Sequence, residues 1–218
     1  MNSIEKKFVH DTYQKIAKEF SDTRTYIWPS VKLFLDSIEH FSVILEVGCG
    51  NGKNLDFRKD CFNLGIDLCS EFCKITNDKT IESIIANNIS IPFKTNSIDI
   101  LLSIAVIHHL STNENRIRAL NEMIRILKPG GKLMIQVWAY EQHKGSRRKF
   151  EKGDNYVEFK DKSGNVCEKR YYYIFTEKSF RELILKLRSI VIEKIYLEKG
   201  NWISIFKKKS DCKVDVVN

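Results

Sequence analysis

The sequence has little of what separates domains or marks membrane and secreted proteins. Its 218 residues include only three prolines, and 43% of them are hydrophobic. A chain of this size can bury one full core and has little material for a linker. We find no 18-residue apolar run, secretory leader or internal repeat. These absences predict one soluble intracellular domain, expected in the cytoplasm with the nucleus as a second compartment.

Paired metal-ligand patterns are also missing. The six cysteines are Cys49, Cys61, Cys69, Cys73, Cys167 and Cys212. Cys69 and Cys73 lie four residues apart, but no second ligand pair stands near them. We therefore expect reduced, structural thiols and no metal site.

A glycine-rich turn follows the first apolar run, in VILEVGCGNG (43–52). Glu46 precedes alternate glycines that begin at Gly48 and Gly50, where the absence of a Cβ lets a ligand approach the backbone. A pyrophosphate-binding GxGxxG pattern would require glycine where Lys53 stands. The acid followed by GxGxG instead resembles motif I of the class I S-adenosylmethionine-dependent methyltransferases.

Asp67 lies fifteen residues after the turn, at the end of a second short apolar run, NLGID. A carboxylate at this place can accept hydrogen bonds from both hydroxyls of a ribose. The turn and the acid together predict an adenosine site at two neighbouring strand ends. The alternative is a tight turn beside a surface aspartate.

The later segments alternate as an α/β fold requires. Apolar runs predict strand three with its loop (81–93), strand four (97–110) and strand five (132–139). Between the last two, apolar residues recur at three- and four-residue steps over 115–131, so we predict a helix that ends at Pro129-Gly130-Gly131. The order predicts a doubly wound, mainly parallel sheet with ligands at the carboxyl ends of its strands.

The net charge of +8 is concentrated in the last third of the chain. Residues 1–141 hold 17 basic and 17 acidic residues, whereas 142–218 hold 19 and 11. Within that region HKGSRRKFEKG (143–153) has no apolar period. A basic segment beside a methyl-donor site indicates a polyanionic substrate, most commonly nucleic acid. A solvated charged loop is the alternative.

Several longer segments resemble one family, the eukaryotic tRNA methyltransferases that esterify 5-carboxymethyluridine at the wobble position. LSIAVIHHLST (102–112) and RALNEMIRILKPGGKLMIQVWAYEQ (118–142) carry the resemblance. VHDTYQKIAKEFSDTRTYIWPSVKLFL (9–35), KRYYYIF (169–175) and EKGNWISIF (198–206) extend it to both ends, and GDNYVEF (153–159) is a looser counterpart.

The resemblance implies a single Rossmann-like class I methyltransferase domain with a mainly parallel seven-stranded sheet and helices on both faces. It divides the chain into an N-terminal helical cap (1–40), a cofactor-binding core (41–141) and a basic substrate loop or insert (142–170). C-terminal strands and a helix of the sheet (171–206) and a basic tail (207–218) follow.

S-adenosylmethionine is the implied cofactor. Where the family has an acid for the adenine amino group, this chain has Asn87 or Asn88, whose amide oxygen accepts the same hydrogen bond. The residues expected to bind the cofactor are Tyr13, Glu46, Gly48, Gly50, Asp67, Leu68, Asn87, Asn88, Ser103 and Ile104.

The implied reaction needs no general base, because a carboxylate with a reference pKa of about 4 is already deprotonated at pH 7. The enzyme should act by positioning, and an arginine fork suits a carboxylate. Arg24 is the first choice for this role, with His108 as a second catalytic candidate. The residues expected to bind substrate are Trp28, Trp138, Glu141, Gln142, Arg147, Arg148, Arg170 and Asn201. For the histidines and tryptophans, plain core packing is the alternative.

The family also works with a small zinc-binding activator subunit, so a heterodimer is expected. Strand three should lie at the sheet edge, where Ile81, Ile84, Ile85 and Ile89 would expose an apolar edge, unless a loop covers it. Two other functions stay open: a methyltransferase for a small molecule, and a cofactor fold that serves only as a scaffold.

Overall fold

The computed structural model describes residues 1–146, 148–161 and 163–210. Its helices are α1 (Ser3–Glu5), which continues through a π-helical segment (Lys6–His10) into α2 (Asp11–Asp22), then α3 (Pro29–Asp36), α4 (Ser70–Asn77), α5 (Asn113–Ile126) and α6 (Glu177–Leu185). Its strands are β1 (Val43–Val47), β2 (Phe62–Asp67), β3 (Glu82–Ile85), β4 (Ile98–Ile104), β5 (Leu127–Trp138), β6 (Gly153–Lys160), β7 (Val166–Ile174), β8 (Ile190–Glu198) and β9 (Asn201–Lys208).

Seven strands form one sheet in the order β3-β2-β1-β4-β5-β9-β8. The pairs from β3 to β5 are parallel, and β9 lies antiparallel to both neighbours. The order reverses between β1 and β4, so a crevice opens at the carboxyl ends of these strands. The predicted fold class is confirmed, including the edge position of β3.

Helices cover both faces of the sheet. One apolar cluster joins α5 and α6 to residues such as Leu101 and Ile135, and the other joins α3 to residues such as Leu102 and Met134. Because neighbouring residues of a strand point to opposite faces, the continuous apolar run of β4 supplies both clusters. A third cluster packs α2 against α4, which places the N-terminal helix at the edge of the crevice.

The helix before β5 is shorter than predicted. It ends at Ile126, and Leu127 already pairs with Ile98 of β4. The pairing then resumes between Ile100 and Lys132, so the Pro129-Gly130-Gly131 stretch forms a bulge in the strand and does not end the helix. Leu127 is fully buried, and this burial draws the chain into the sheet before the glycines are reached.

The expected loop or insert over 142–170 contains regular structure in its second half. β6 and β7 form a separate two-stranded antiparallel sheet, which includes residues 171–174 that we had assigned to the main sheet. Exposure alternates along β6, as expected for a strand with one packed side. The charged residues of β6 all lie on its exposed positions.

The β3 edge exposes fewer isoleucines than predicted. Ile84 and Ile85 are 45% and 60% exposed, whereas Ile81 is 6% exposed and Ile89 packs against the core. Cys49, Cys69 and Cys73 are buried, and the five cysteines of the described part are all free thiols, while Cys212 lies outside it. Among the described residues no helix combines the length and apolarity needed to cross a bilayer.

Candidate active site

A cavity of about 710 Å³ opens at the carboxyl ends of β1, β2 and β4. The N-terminal helix, the segment 23–29 and the two-stranded sheet of β6 and β7, called the hairpin from here on, complete the wall of the cavity. The structure brings these predicted residues to its lining: Tyr13, Arg24, Trp28, Glu46, Gly48, Gly50, Asp67, Leu68, Asn87, Asn88, Ile104, His108, Trp138 and Arg148. Ser103, Glu141, Gln142, Arg170 and Asn201 lie outside the lining, and Arg147 lies outside the described residues.

The glycine turn (residues 48–52) presents bare backbone to the cavity. Gly48 has φ +75°, and a Cβ on it would lie 2.5 Å from Val106 Cγ2, so only glycine fits there. Gly50 has φ +54°, and a Cβ on it would meet no protein atom within 4 Å. The space beside Gly50 is therefore open to a ligand that needs close contact with the backbone.

Asp67 fastens this turn to β2 and faces the same space. Its Oδ2 accepts from Gly50 N–H at 2.9 Å and its Oδ1 accepts from Cys69 N–H at 2.9 Å. Burial raises the pKa of this carboxyl, and the two backbone donors oppose that rise. A carboxylate oxygen accepts more than one hydrogen bond, so both oxygens retain capacity for the hydroxyls of a ribose.

Glu46 is a buried acid with one oxygen unsatisfied. Its Oε1 accepts from Asn54 Nδ2 at 2.6 Å, whereas Oε2 has no partner in the described part of the chain. Burial raises the pKa of Glu46 to about 8. A cationic group of a ligand would satisfy Oε2 and favour the ionised form.

Asn87 and Asn88 differ in what their side chains do. Asn87 Oδ1 accepts from the backbone N–H of Ile89 at 3.1 Å, which shapes the turn after β3. The Asn88 side chain also lines the cavity. The Asn88 side chain makes no such bond with its neighbours in the described part of the chain, and both asparagines stay candidates to accept from an adenine amino group.

The other end of the cavity combines aromatic rings and guanidinium groups. Tyr172 stacks on Trp138 with ring centroids 4.1 Å apart and an interplanar angle of 6°. The guanidinium of Arg148 lies 4.5 Å from the Trp138 ring and that of Arg24 lies 4.4 Å from the Phe20 ring. Because protein groups already pack on Trp138, its ring is an anchor for these neighbours. We call the six residues Phe20, Arg24, Trp138, Arg148, Arg170 and Tyr172 the arginine end.

The three arginines of this end have no carboxylate partner among the described residues. Arg24 Nη1 donates to Thr23, and Arg170 Nη1 donates to Tyr172 Oη at 2.9 Å. Burial lowers the pKa of Arg24 and of Arg148. The positive charge of Arg170 lowers the pKa of Arg24 further, and the positive charge of Arg24 lowers the pKa of Arg148. Three mutually repelling cations around one cavity favour an anionic ligand.

His108 is a neutral hydrogen-bond donor in the cavity wall. It is fully buried, and its Nδ1 accepts from the backbone N–H of Trp138 at 3.1 Å. Burial, with His109 and Arg148 adding to it, holds the pKa of His108 well below its usual range. The proton of the neutral ring is thereby assigned to Nε2, which has no partner in the described part of the chain.

His109 belongs to a chain of hydrogen bonds that sequence reasoning missed. Its Nδ1–H donates to Tyr171 O at 2.7 Å, so its Nε2 accepts from the Tyr13 hydroxyl at 3.1 Å. Tyr13 Oη then accepts from the Tyr172 hydroxyl at 3.2 Å, and Tyr172 Oη accepts from Arg170. Burial lowers the pKa of His109 to about 3, which keeps the direction of the chain fixed. The chain ties α2 to the hairpin across the cavity.

The predicted residues outside the lining hold loops in place. Glu141 accepts from Trp202 Nε1 at 2.8 Å and from the N–H of Glu177 at the start of α6. Gln142 donates to Ala139 O and Gly200 O. In addition, Asn201 Nδ2 donates to Glu198 O and Lys199 O, and Ser103 is fully buried. A substrate contact by Glu141, Gln142 or Asn201, or a cofactor contact by Ser103, stays a prediction.

The geometry suits S-adenosylmethionine. The open side of Gly50 accommodates a close backbone approach, Asp67 offers acceptors for a ribose, and the unpartnered Glu46 oxygen suits the ammonium of an amino acid. Residues 45–135 match a family model described as a methyltransferase domain. Fold and site thus define a class I S-adenosylmethionine-dependent methyltransferase.

Comparison with known proteins narrows this class. A tRNA (carboxymethyluridine(34)-5-O)-methyltransferase of Schizosaccharomyces pombe is 36% identical over 225 residues, covering 94% of this chain and 97% of the relative. One from Arabidopsis thaliana is 47% identical over 139 residues, covering 64% of this chain and 34% of the relative. The chain belongs to this family of methyltransferases, although it spans only about a third of the length of several curated relatives that it matches.

Among solved structures, a methyltransferase of Haloferax volcanii, determined in complex with the Trm112 methyltransferase activator, has the same fold. The TM-score is 0.65 at 15% sequence identity, and the match covers 94% of this chain and 99% of that chain. At this identity the likeness concerns the fold.

Proposed function

We propose that this protein transfers the methyl group of S-adenosylmethionine to the carboxylate of 5-carboxymethyluridine at the wobble position of tRNA, which gives the methyl ester. The observation that carries this proposal is the arginine end, which shares one cavity with the glycine turn. The names of the family members in S. pombe and A. thaliana support the choice of substrate.

Arg24 and Arg148 are the residues placed to hold the substrate carboxylate. Both line the cavity, both are partly withdrawn from water, and neither is neutralised by an acid of the described chain. A planar guanidinium fork matches the two oxygens of a carboxylate, and such charge-assisted pairs are strong where water is scarce. Arg170 acts through the Tyr172 hydroxyl, because it lies outside the cavity lining.

The reaction requires these residues to position the substrate carboxylate and not to remove a proton. The bound cofactor supplies an electrophilic methyl group on a positively charged sulfur. The substrate carboxylate is already ionised at pH 7. His108 donates from Nε2 to a substrate oxygen and is a poor base, because its pKa lies well below neutrality. Holding the reacting oxygen in place can lower the barrier by roughly 7 to 11 kcal/mol.

The glycine turn and its acids, at the opposite end of the cavity from the arginines, would hold the cofactor. Asp67 would accept from the ribose, Glu46 would bind the ammonium of the methionine moiety, and Asn88 would accept from the adenine amino group. Gly50 would let the ligand lie against the backbone.

The basic excess of residues 142–218 would bind the tRNA backbone. In this segment Lys152 lies 5.0 Å from the ring of Tyr140, whereas Arg148 turns into the cavity. Exposed lysines such as Lys144, together with Arg147, are therefore the proposed contacts to tRNA phosphates. Arg148 would instead contact the carboxylate of the wobble nucleotide.

Nucleoside mass spectrometry tests the proposal. The protein is incubated with labelled cofactor and with tRNA that either carries or lacks the carboxymethyl group at the wobble uridine. We expect label only in the methyl ester of carboxymethyluridine. Label on unmodified uridine would instead indicate an enzyme that methylates the base. Methyl transfer that needs no tRNA would indicate an enzyme for a small molecule.

We also propose that a small zinc-binding activator pairs with the β3 edge. Ile84 and Ile85 expose apolar surface beside the outer edge of β3, a surface on which a second chain can add a strand. Ile84→Lys should prevent co-purification of the coexpressed activator. Leu185→Lys, at an equally apolar exposed position on α6, is the control that should leave it unchanged. Retention of the activator by Ile84→Lys would move the interface elsewhere.

A further inference from the structure

The side chain of Asn51 links the glycine turn to the segment that carries Arg24. Asn51 lies inside the turn and lines the cavity. Its Nδ2 donates to Ser21 O at 3.4 Å and to Arg24 O at 3.1 Å. Ser21 belongs to the last turn of α2, and Arg24 lies two residues beyond the end of that helix. One amide group therefore connects the two ends of the cavity.

The backbone of the same turn is held by the region of α4. Thr76 Oγ1 donates to Gly50 O at 2.8 Å, and Lys79 Nζ donates to Asn51 O at 2.7 Å. The turn is thus fixed to α4 through its carbonyls and to α2 through the Asn51 amide. A ligand that rests on the open side of Gly50 contacts the backbone to which this amide is attached.

The position of Arg24 depends on the local conformation that Asn51 holds. The Arg24 guanidinium lies 4.4 Å from the Phe20 ring and donates to Thr23, so its contacts come from the last residues of α2 and the residues just after it. Arg24 N–H also donates to Ser21 O at 2.9 Å, the carbonyl that Asn51 shares.

We infer that Asn51 is a positioning residue that couples cofactor binding at the glycine turn to the placement of Arg24. The bound cofactor orders the turn, the amide orders residues 21–24, and Arg24 is then set for the substrate carboxylate. This coupling acts in both directions, so each ligand raises the affinity of the other. The role of Arg24 in this inference rests on the proposed function, whereas the coupling itself does not.

Hydrogen exchange tests the coupling without any methyl transfer. Adding S-adenosylmethionine should slow backbone exchange over residues 21–27 at least about fivefold in the wild type and less than about twofold in Asn51→Asp, whose carboxylate cannot donate to the two carbonyls. Asn63→Asp is the matched control, because the Asn63 amide also donates to two backbone carbonyls, those of Arg58 and Cys61, but lies outside the cavity lining; this variant should keep the wild-type response. Should Asn51→Asp fail to fold by thermal melting, Asn51→Ser takes its place. Equal responses in wild type and variant, or none in either, would overturn the inference.

A double-mutant cycle then tests the consequence for Arg24. Asn51→Asp should lower kcat/KM for tRNA about tenfold with a change in cofactor affinity below about threefold, and adding it to Arg24→Ala should cost less than about twofold more. Fully additive losses would show that Asn51 acts apart from Arg24. If tRNA proves not to be the substrate, this cycle falls with the proposed function, and the exchange result still decides the coupling.

Discussion

The two ends of the cavity are built in different ways. The glycine turn and its acids come from one short stretch, residues 46–67, and they hold a ligand with backbone and carboxylate groups. The arginine end draws on three distant segments: α2 with the residues just after it, the region after β5, and β7. Under the proposed function, the contiguous stretch would bind the cofactor and the dispersed set would bind the substrate.

Removal of Arg24 should have the largest effect. Arg24→Ala should lower kcat about 10²- to 10³-fold, the loss seen when one preorganised donor to a reacting oxygen is removed. Cofactor affinity should stay unchanged, which steady-state kinetics and calorimetry measure together. Arg188→Ala, at an exposed arginine in the turn after α6, is the control. If Arg24→Ala loses cofactor affinity and keeps its kcat, Arg24 belongs to the cofactor end of the cavity, which contradicts this account.

Removal of Asp67 should have the reverse pattern. Asp67→Ala loses acceptors to the ribose and the bond to Gly50, so cofactor binding should weaken by about 1.5 to 3 kcal/mol. Calorimetric titration with the cofactor measures this, with Asp78→Ala at the exposed end of α4 as the control. Unchanged affinity in Asp67→Ala would contradict the assignment of the glycine end.

Glu46 should make cofactor binding depend on pH. Burial raises its pKa to about 8 in the free protein, so it is mostly protonated at pH 6. A bound ammonium favours the ionised form, which means that binding releases a proton and tightens as pH rises from about 5.5 to 7. Titrations in buffers of different ionisation enthalpy should detect this proton, and Glu46→Gln should abolish both effects. Proton uptake on binding would reverse the sign and refute the account.

His108 should contribute no ionisation to turnover. Because its pKa lies well below the usual value, it stays neutral from about pH 6 to 9, and the carboxylate nucleophile stays ionised. With both substrates saturating, kcat should therefore be flat over this range. A rate that rises through about pH 6.5 would indicate a histidine base and would argue against carboxylate attack.

The contrast between the two ends also explains what the sequence could predict. Glu46 and Gly48 lie in one short motif and Asp67 ends the next apolar run, so their arrangement could be predicted from local sequence patterns. Tyr13 and His109 are 96 residues apart, and no periodicity relates them, so their hydrogen bond emerged only from tertiary packing. Tyr172 is buried, and its hydroxyl and ring contribute to the cavity wall, which no local pattern indicated.

The errors at element boundaries have similar causes. Pro129 and Gly130 are strong stop signals for a helix, but the pairing of Leu127 with Ile98 ended the helix first, because a buried strand position outweighs local propensity. The segment 142–170 was expected from the resemblance, and the strand β6 within it packs through contacts with distant residues, such as that of Phe159 with Phe20 of α2.

The most direct test of the central claim compares a carboxylate with its neutral amide. tRNA with 5-carboxymethyluridine at the wobble position and tRNA with 5-carbamoylmethyluridine there differ only in the group that the arginines would hold. Single-turnover transfer followed by nucleoside mass spectrometry should give a methyl ester from the first and no methylated product from the second, which should also bind more weakly. Methylation of the amide, or equal binding of both tRNAs, would contradict an arginine-held carboxylate as the methyl acceptor.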